Sequence, residues 1–239
     1  MGYKSMWRQL AGLVFAIVLA SFGSTGQAFA GGENDQFLLT QVGLMRGHLR
    51  MAEALEAANL KSEASLHYHH PLKELYDDIK DELTSRGITD LGDALKALEK
   101  ADESGADVKA PLKIVFSTLD LTEGSITASP KMMLLAVVGL LKHAAEEYAV
   151  AYTPAGKLDK QEEYQDSWGF TTKASDIFTR IRLNLAKRDP GPIRDIAKKL
   201  TIMQTAWPNL EGPQKPVIDG ATVSKVYDEI EQIASKYRG

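Results

Sequence analysis

Cysteine is absent from this 239-residue chain, which excludes disulfides, thiolate metal ligands, covalently attached c-type haem and any cysteine nucleophile. No stretch alternates apolar and polar residues as a half-buried strand would. Beyond residue 30 no apolar run approaches the roughly 20 residues that a membrane-crossing helix needs. Basic excess is missing too. Two of the 28 basic residues and none of the 32 acidic ones lie in the first 30 positions, leaving 26 against 32 and a formal charge of −6. That balance offers nucleic acid no basic stripe and is compatible with cationic ligands. No catalytic signature is present, and the chain reads as more binding protein than enzyme.

Lys4 and Arg8 precede a short apolar run from Leu10 to Ala20, and a more polar stretch ends in Ala28-Phe29-Ala30. A basic start, a greasy middle and a small-x-small tripeptide predict a secretory signal peptide over residues 1–30, cleaved after Ala30. The mature protein, residues 31–239, is then expected to be periplasmic or secreted and not membrane-spanning. Without disulfides it has to rely on its core, and about 209 residues suffice for one sizeable domain.

Helical periodicity runs through nearly the whole mature chain. Leu38, Val42, Met45, Leu49, Ala52 and Leu55 recur at steps of three and four, so residues 36–60 read as one helix with a single apolar stripe. Helical patterns follow over residues 61–86, interrupted by Pro71, and over 90–103 and 108–119. Ser129-Pro130 is a start signal, with serine as N-cap and proline in the first turn. It opens a helix to Tyr152. Asp159 is expected to cap the next, residues 160–186. Residues 193–206 and 222–237 supply the last two. Pro71 either kinks one long helix or starts a new one. The expected fold is all-α, a single-domain bundle of about seven helices joined by short connections.

The five histidines fall in two windows that also hold carboxylates at helical spacing. Imidazole with carboxylate suits iron, zinc, copper or manganese. In the first window Glu63, His67, His70 and Glu74 are separated by four, three and four, so an unbroken helix puts all four on one face and turns His69 away. His48 adjoins the apolar stripe beside Met45 and Met51, where a buried imidazole needs a hydrogen-bond partner or a metal. In the second window His143 with Glu146 or Glu147 forms His-x-x-Glu, and Glu162 or Glu163 with Asp166 faces it from the next helix. Tyr148 and Tyr164 flank the same turn and offer either a phenolate to ferric iron or a cap on the core.

The segments Glu147-Tyr148-Ala149-Val150-Ala151-Tyr152, Gly156-Lys157-Leu158 and Glu163-Tyr164-Gln165-Asp166-Ser167-Trp168-Gly169-Phe170 resemble the extracytoplasmic helical region of bacterial FTR1-type iron permeases. The proline-rich loop around Trp207-Pro208 and Pro213 to Pro216 is loosely similar, so the resemblance spans about 130–239. The permease's membrane domain has no counterpart here, and ion translocation does not carry over. Export, the helical bundle and His143-x-x-Glu146 are also similar to imelysin-like periplasmic iron proteins. Resemblance thus implies an iron-linked role in binding or delivery.

Together these readings predict an exported helical protein that binds a metal ion, iron first with copper or zinc as alternatives. It would act in uptake, delivery or sensing for an inner-membrane transporter or another envelope protein. The expected ligands are drawn from His48, Glu63, His67, His70, Glu74, His143, Glu146, Glu147, Glu163 and Asp166. The rival reading is a metal-free interaction module that docks on an envelope protein.

Overall fold

The stripe read from the sequence is the spine of the molecule: Leu38, Val42, Met45, Leu49, Ala52 and Leu55 are all fully buried. They lie on helix α1, Gly31–Ala57, in a computed structural model that describes residues 31–238. The expected signal segment lies outside the described residues. Helix α2 (Lys61–His70) passes through a π turn (Pro71–Leu75) into α3 (Tyr76–Ser85), and α4 (Leu91–Glu103) and α5 (Lys109–Gly124) follow. Then come α6 (Pro130–Ala151), α7 (Gln161–Ala186), α8 (Pro190–Gln204) and α9 (Gly220–Ala234), which ends in a short 3-10 turn, Ser235–Tyr237. Among the described residues the only β-type pairing is an isolated bridge between Tyr152 and Leu158.

The all-α expectation holds, with nine α-helical segments among the described residues where about seven were expected, two of them joined through the π turn. Among the described residues no helix is long and apolar enough to cross a membrane. Residues Gly31–Gly239 cluster as one compact unit. Within it α6 and α7 form a hairpin, α1 lies across both, and α8 and α9 close the far side.

Local chemistry explains the element ends. Ser129 accepts a hydrogen bond from the Met132 amide at 3.2 Å, and Pro130 sits at the first helical position, as the sequence signal requires. Gly87, expected to terminate α3, adopts φ +73°, the left-handed conformation that glycine takes without steric cost. Asp159 does not cap α7. The Asp159 and Lys160 amides instead donate to the Ala151 carbonyl, so the backbone itself closes the α6–α7 turn.

Pro71 stands in the first turn of the π segment that joins α2 to α3. Proline lacks an amide donor, and its ring would press on the carbonyl four residues back, at His67. Widening one turn relieves that clash: the Tyr76 amide donates to the Pro71 carbonyl, and the helix continues as a π segment. The wider turn begins directly after His70.

Helix α1 meets α7 at a glycine crossing. A Cβ on Gly169 would stand 2.6 Å from the Gly47 carbonyl oxygen, and one on Gly47 would stand 2.7 Å from Phe170 Cδ1 and 3.1 Å from the Gly169 carbonyl carbon. Only a pair without side chains lets the two backbones approach so closely. The crossing is antiparallel: His48, just after Gly47, meets Asp166, before Gly169, whereas Arg46, just before Gly47, shares Glu123 with Lys173, after Gly169.

Candidate metal centre

Three elements bring side chains that could ligate a cation to the space beside that crossing. His48 follows Gly47 on α1, His67 and His70 lie on α2 ahead of the π turn, and Asp166 sits one turn before Gly169 on α7. All four are buried, exposed by 2, 0, 8 and 3 % respectively. One ligating atom from each lies within 4.8 Å of the others. His48 Nδ1 is 2.6 Å and His67 Nδ1 2.8 Å from Asp166 Oδ1, while His70 Nδ1 is 3.3 Å from Oδ2 and 3.2 Å from His48 Nδ1. Adjacent ligands of a tetrahedral ion bound at 2.0–2.1 Å stand roughly 3.3 Å apart, which the two His70 distances match, whereas the 2.6 and 2.8 Å contacts are hydrogen bonds that would open slightly to admit a cation.

The outward nitrogens carry the stronger argument. His70 Nε2–H donates to Glu162 Oε1 at 2.6 Å, and His67 Nε2–H donates to Gln165 Oε1 at 2.9 Å. Gln165 is oriented by its own amide, which donates to the Leu210 carbonyl. In a neutral ring a proton held on Nε2 leaves the Nδ1 lone pair to point inward, the way outer carboxylates and amides fix the tautomer of metal-bound histidines. Three such nitrogens crowd one carboxylate, and each close approach needs a proton or a cation between the atoms. Phe170 closes the apolar side, edge-on to His48 with ring centroids 4.8 Å apart.

Electrostatics follow from this crowding. Burial alone would raise Asp166, but the charge of His48 and hydrogen bonds from His48, His67 and His70 hold its carboxyl well below the usual range. Glu162 is lowered by its hydrogen bond from His70. Burial works against a charge on His70, yet its hydrogen bonds to Asp166 and Glu162 prevail and raise it to about 11. His48 moves the other way, lowered chiefly by burial.

The consequence for the metal-free protein has a definite sign. His70 keeps a proton when folded that it gives up near its ordinary value of 6.5 when unfolded. Its contribution is therefore complete below about pH 6.5 and fades as pH rises toward 11. Asp166 and Glu162 contribute above the ordinary carboxylate range and are lost only in acid. Raising the pH of metal-free protein from 6.5 to 9 should therefore lower its stability by on the order of 1 kcal/mol per unit. Melting curves across that range check this. A melting temperature that holds steady or climbs would refute it, and His70→Gln should flatten the response.

The remaining expected ligands divide into a rim and outliers. Glu74 lies at the surface with Oε1 3.9 Å from His70 Nε2, since the π turn carries it away from the inner atoms. Glu147 on α6 faces Glu163 on α7, and burial together with that neighbour raises its carboxyl. Glu63 does not join. Helix α7 passes α2 in the opposite direction, Glu162 beside His70 and Asp166 beside His67. Continuing that register carries position 63 toward Gly169 and Phe170, which bear no ligating group. His143 and Glu146 also stay apart, 3.8 Å from one another, with half-exposed Glu146 shared by Lys142 at 3.7 Å. His143 on α6 is therefore no partner of His67 and His70. What the first window meets from the second is its acidic segment on α7.

Two residues gain roles that their spacing did not assign. Gln165 orients His67, and its only sequence signal is an amide beside Asp166 on a helix otherwise buried there. Glu162, weighed beside Glu163, is the one that reaches an imidazole. The tyrosines turn out to be anchors. Tyr148, Tyr152 and Tyr164 donate to the carbonyls of Ile218, Pro213 and Asn209, pinning the loop between α8 and α9. Burial raises all three phenols, in keeping with neutral donors to these carbonyls, the core-capping alternative.

No curated protein and no solved structure matches the chain. Residues 123–239, which contain α6 through α9, match the family model of the iron permease-associated 4-helix bundle domain, and this bears out the resemblance read from the Glu-Tyr segments.

Proposed function

We propose that this protein binds a first-row transition metal, iron first, outside the cytoplasm and serves an iron permease or another envelope protein in uptake, delivery or sensing. The observation that carries the reading is the convergence of three Nδ1 atoms on Asp166 while outer acceptors hold two of the opposite nitrogens. Three neutral imidazoles and one carboxylate leave a divalent ion with a single net positive charge. The partly exposed carboxylates of Glu74, Glu162 and Glu163 border the site and favour a cation over an anion there. The donor set is nitrogen and oxygen without sulfur. Met45 and Met51 pack in the core, so no thioether favours copper, and the imidazole-carboxylate set suits iron, zinc or copper alike.

The match to an iron permease-associated domain supports iron and a permease partner. Of the four ligands that domain supplies only Asp166. The three histidines come from α1 and α2, ahead of the matched residues, so the centre forms where the N-terminal helices dock on the bundle. Export rests on the signal-like first 30 residues.

Anaerobic loading with Fe2+ followed by metal analysis tests the proposal. The tight equivalent should be present in the wild type, absent from His67→Ala and His70→Ala, and retained by His143→Ala. Equal tight binding in all four proteins would exclude this site, and no tight binding in any of them would favour the metal-free interaction module.

A further inference from the structure

We propose a second, weaker cation site on the opposite face of α2, built from His69, Glu99 and Glu103 and taking a divalent first-row ion. His69 points away from the buried centre and packs against α4. Its Nε2–H donates to Asp102 Oδ2 at 3.1 Å, and Ser65 donates to the same oxygen. That contact leaves the Nδ1 lone pair directed at Glu99, whose Oε1 is 3.5 Å away. Glu103 places a carboxylate oxygen within 4.8 Å of both. The arrangement repeats that of the inner centre: a carboxylate holds the outer nitrogen, and the inner one faces further acids.

A cation already occupies the position. The ammonium of Lys73, one turn further along, lies 3.1 Å from His69 Nδ1 and 3.5 Å from Glu99 Oε1. Imidazole and carboxylate thus converge on a positive charge supplied by a side chain that is itself more than half exposed and free to leave. With His69 neutral, three carboxylates face one lysine, an excess of two negative charges that a divalent ion would cancel. His69 and Glu99 are shielded enough to hold their geometry, at 13 and 21 % side-chain exposure, while Glu103 opens to solvent. The site is accessible where the inner centre is enclosed, which suits exchange of the ion with its surroundings. It does not depend on the inner centre.

Titration of the full mature chain with Co2+ and Zn2+, followed by calorimetry and by cobalt absorption, tests this. Wild type should show a tight and a weaker equivalent. His69→Ala and Glu99→Gln should lose the weaker equivalent only, and Asp166→Asn the tight one only. Lys73→Met removes the competing ammonium and should tighten the weaker equivalent roughly five- to thirty-fold, the Coulomb effect of a unit charge about 4 Å from a divalent ion in water. A His69→Ala protein that keeps both equivalents overturns the proposal. If that variant fails to fold by circular dichroism, a Lys73→Met protein with unchanged affinity overturns it equally. Retention of both equivalents by Asp166→Asn would count against the inner centre and leave the His69 site standing.

Discussion

Asp166→Ala should lose tight metal binding and melt well below the wild type even without metal. Asp166 is the one carboxylate that touches all three buried imidazoles. Removing it strips an ion of its only inner anionic ligand. Outer-shell losses at metal sites already cost about 10- to 100-fold in affinity, so loss of a direct ligand should exceed about 100-fold. In the metal-free protein the same change leaves the His70 charge with only the partly exposed Glu162 and Glu74 beside it. Breaking one partner out of a buried ionic group costs about 3–5 kcal/mol. For a chain of this size each kcal/mol lowers the melting temperature by about 2–4 °C, so a fall of about 6–20 °C is expected. Asp166→Asn separates charge from shape: it fills the same space and can still accept a hydrogen bond, yet it should bind metal nearly as poorly as the alanine variant. If the asparagine protein keeps the wild-type affinity, Asp166 is no ligand, and the inner centre would be a hydrogen-bonded core cluster.

Much of this arrangement was legible in the sequence, and the illegible part has a single physical source. Periodicity determines which face of a helix is apolar, and so the buried stripe of α1, the Ser129-Pro130 start and the Gly87 stop all read directly. The same spacing placed His67 and His70 together and turned His69 away. Spacing within one helix does not say which face of another helix it will meet. His143 with Glu146 had as good a local pattern as His70 with Glu74, yet Glu146 remains in solvent beside Lys142, and the acidic segment of α7 went to the other window. What decides between them is the register of α7 against α1 and α2, a long-range property set by close packing. Glu63 failed for the same reason, and Gln165 gained its role because that register brings it against His67.

That register makes Gly169→Ala the most informative change away from the ligands. On helix propensity alone, alanine would stabilise the middle of α7 by about 1 kcal/mol. Sterics oppose it. The added Cβ would stand 2.6 Å from the Gly47 carbonyl oxygen and 2.9 Å from its carbon, and both are backbone atoms that cannot rotate aside. Relief requires α1 and α7 to separate, and overpacking of this kind costs about 1–3 kcal/mol or more. The crossing lies one residue from His48 and one turn from Asp166, so separation stretches their 2.6 Å contact directly. The variant should therefore be less stable and bind metal less tightly, although no ligand has been altered. Gly124→Ala is the matched control: a Cβ there meets nothing within 4 Å, and that protein should equal or slightly exceed the wild type in stability with metal binding intact. Melting curves and metal titrations of the two variants decide the matter. A Gly169→Ala protein that gains stability like the control and keeps its metal would mean that the glycine crossing does not hold His48 against Asp166.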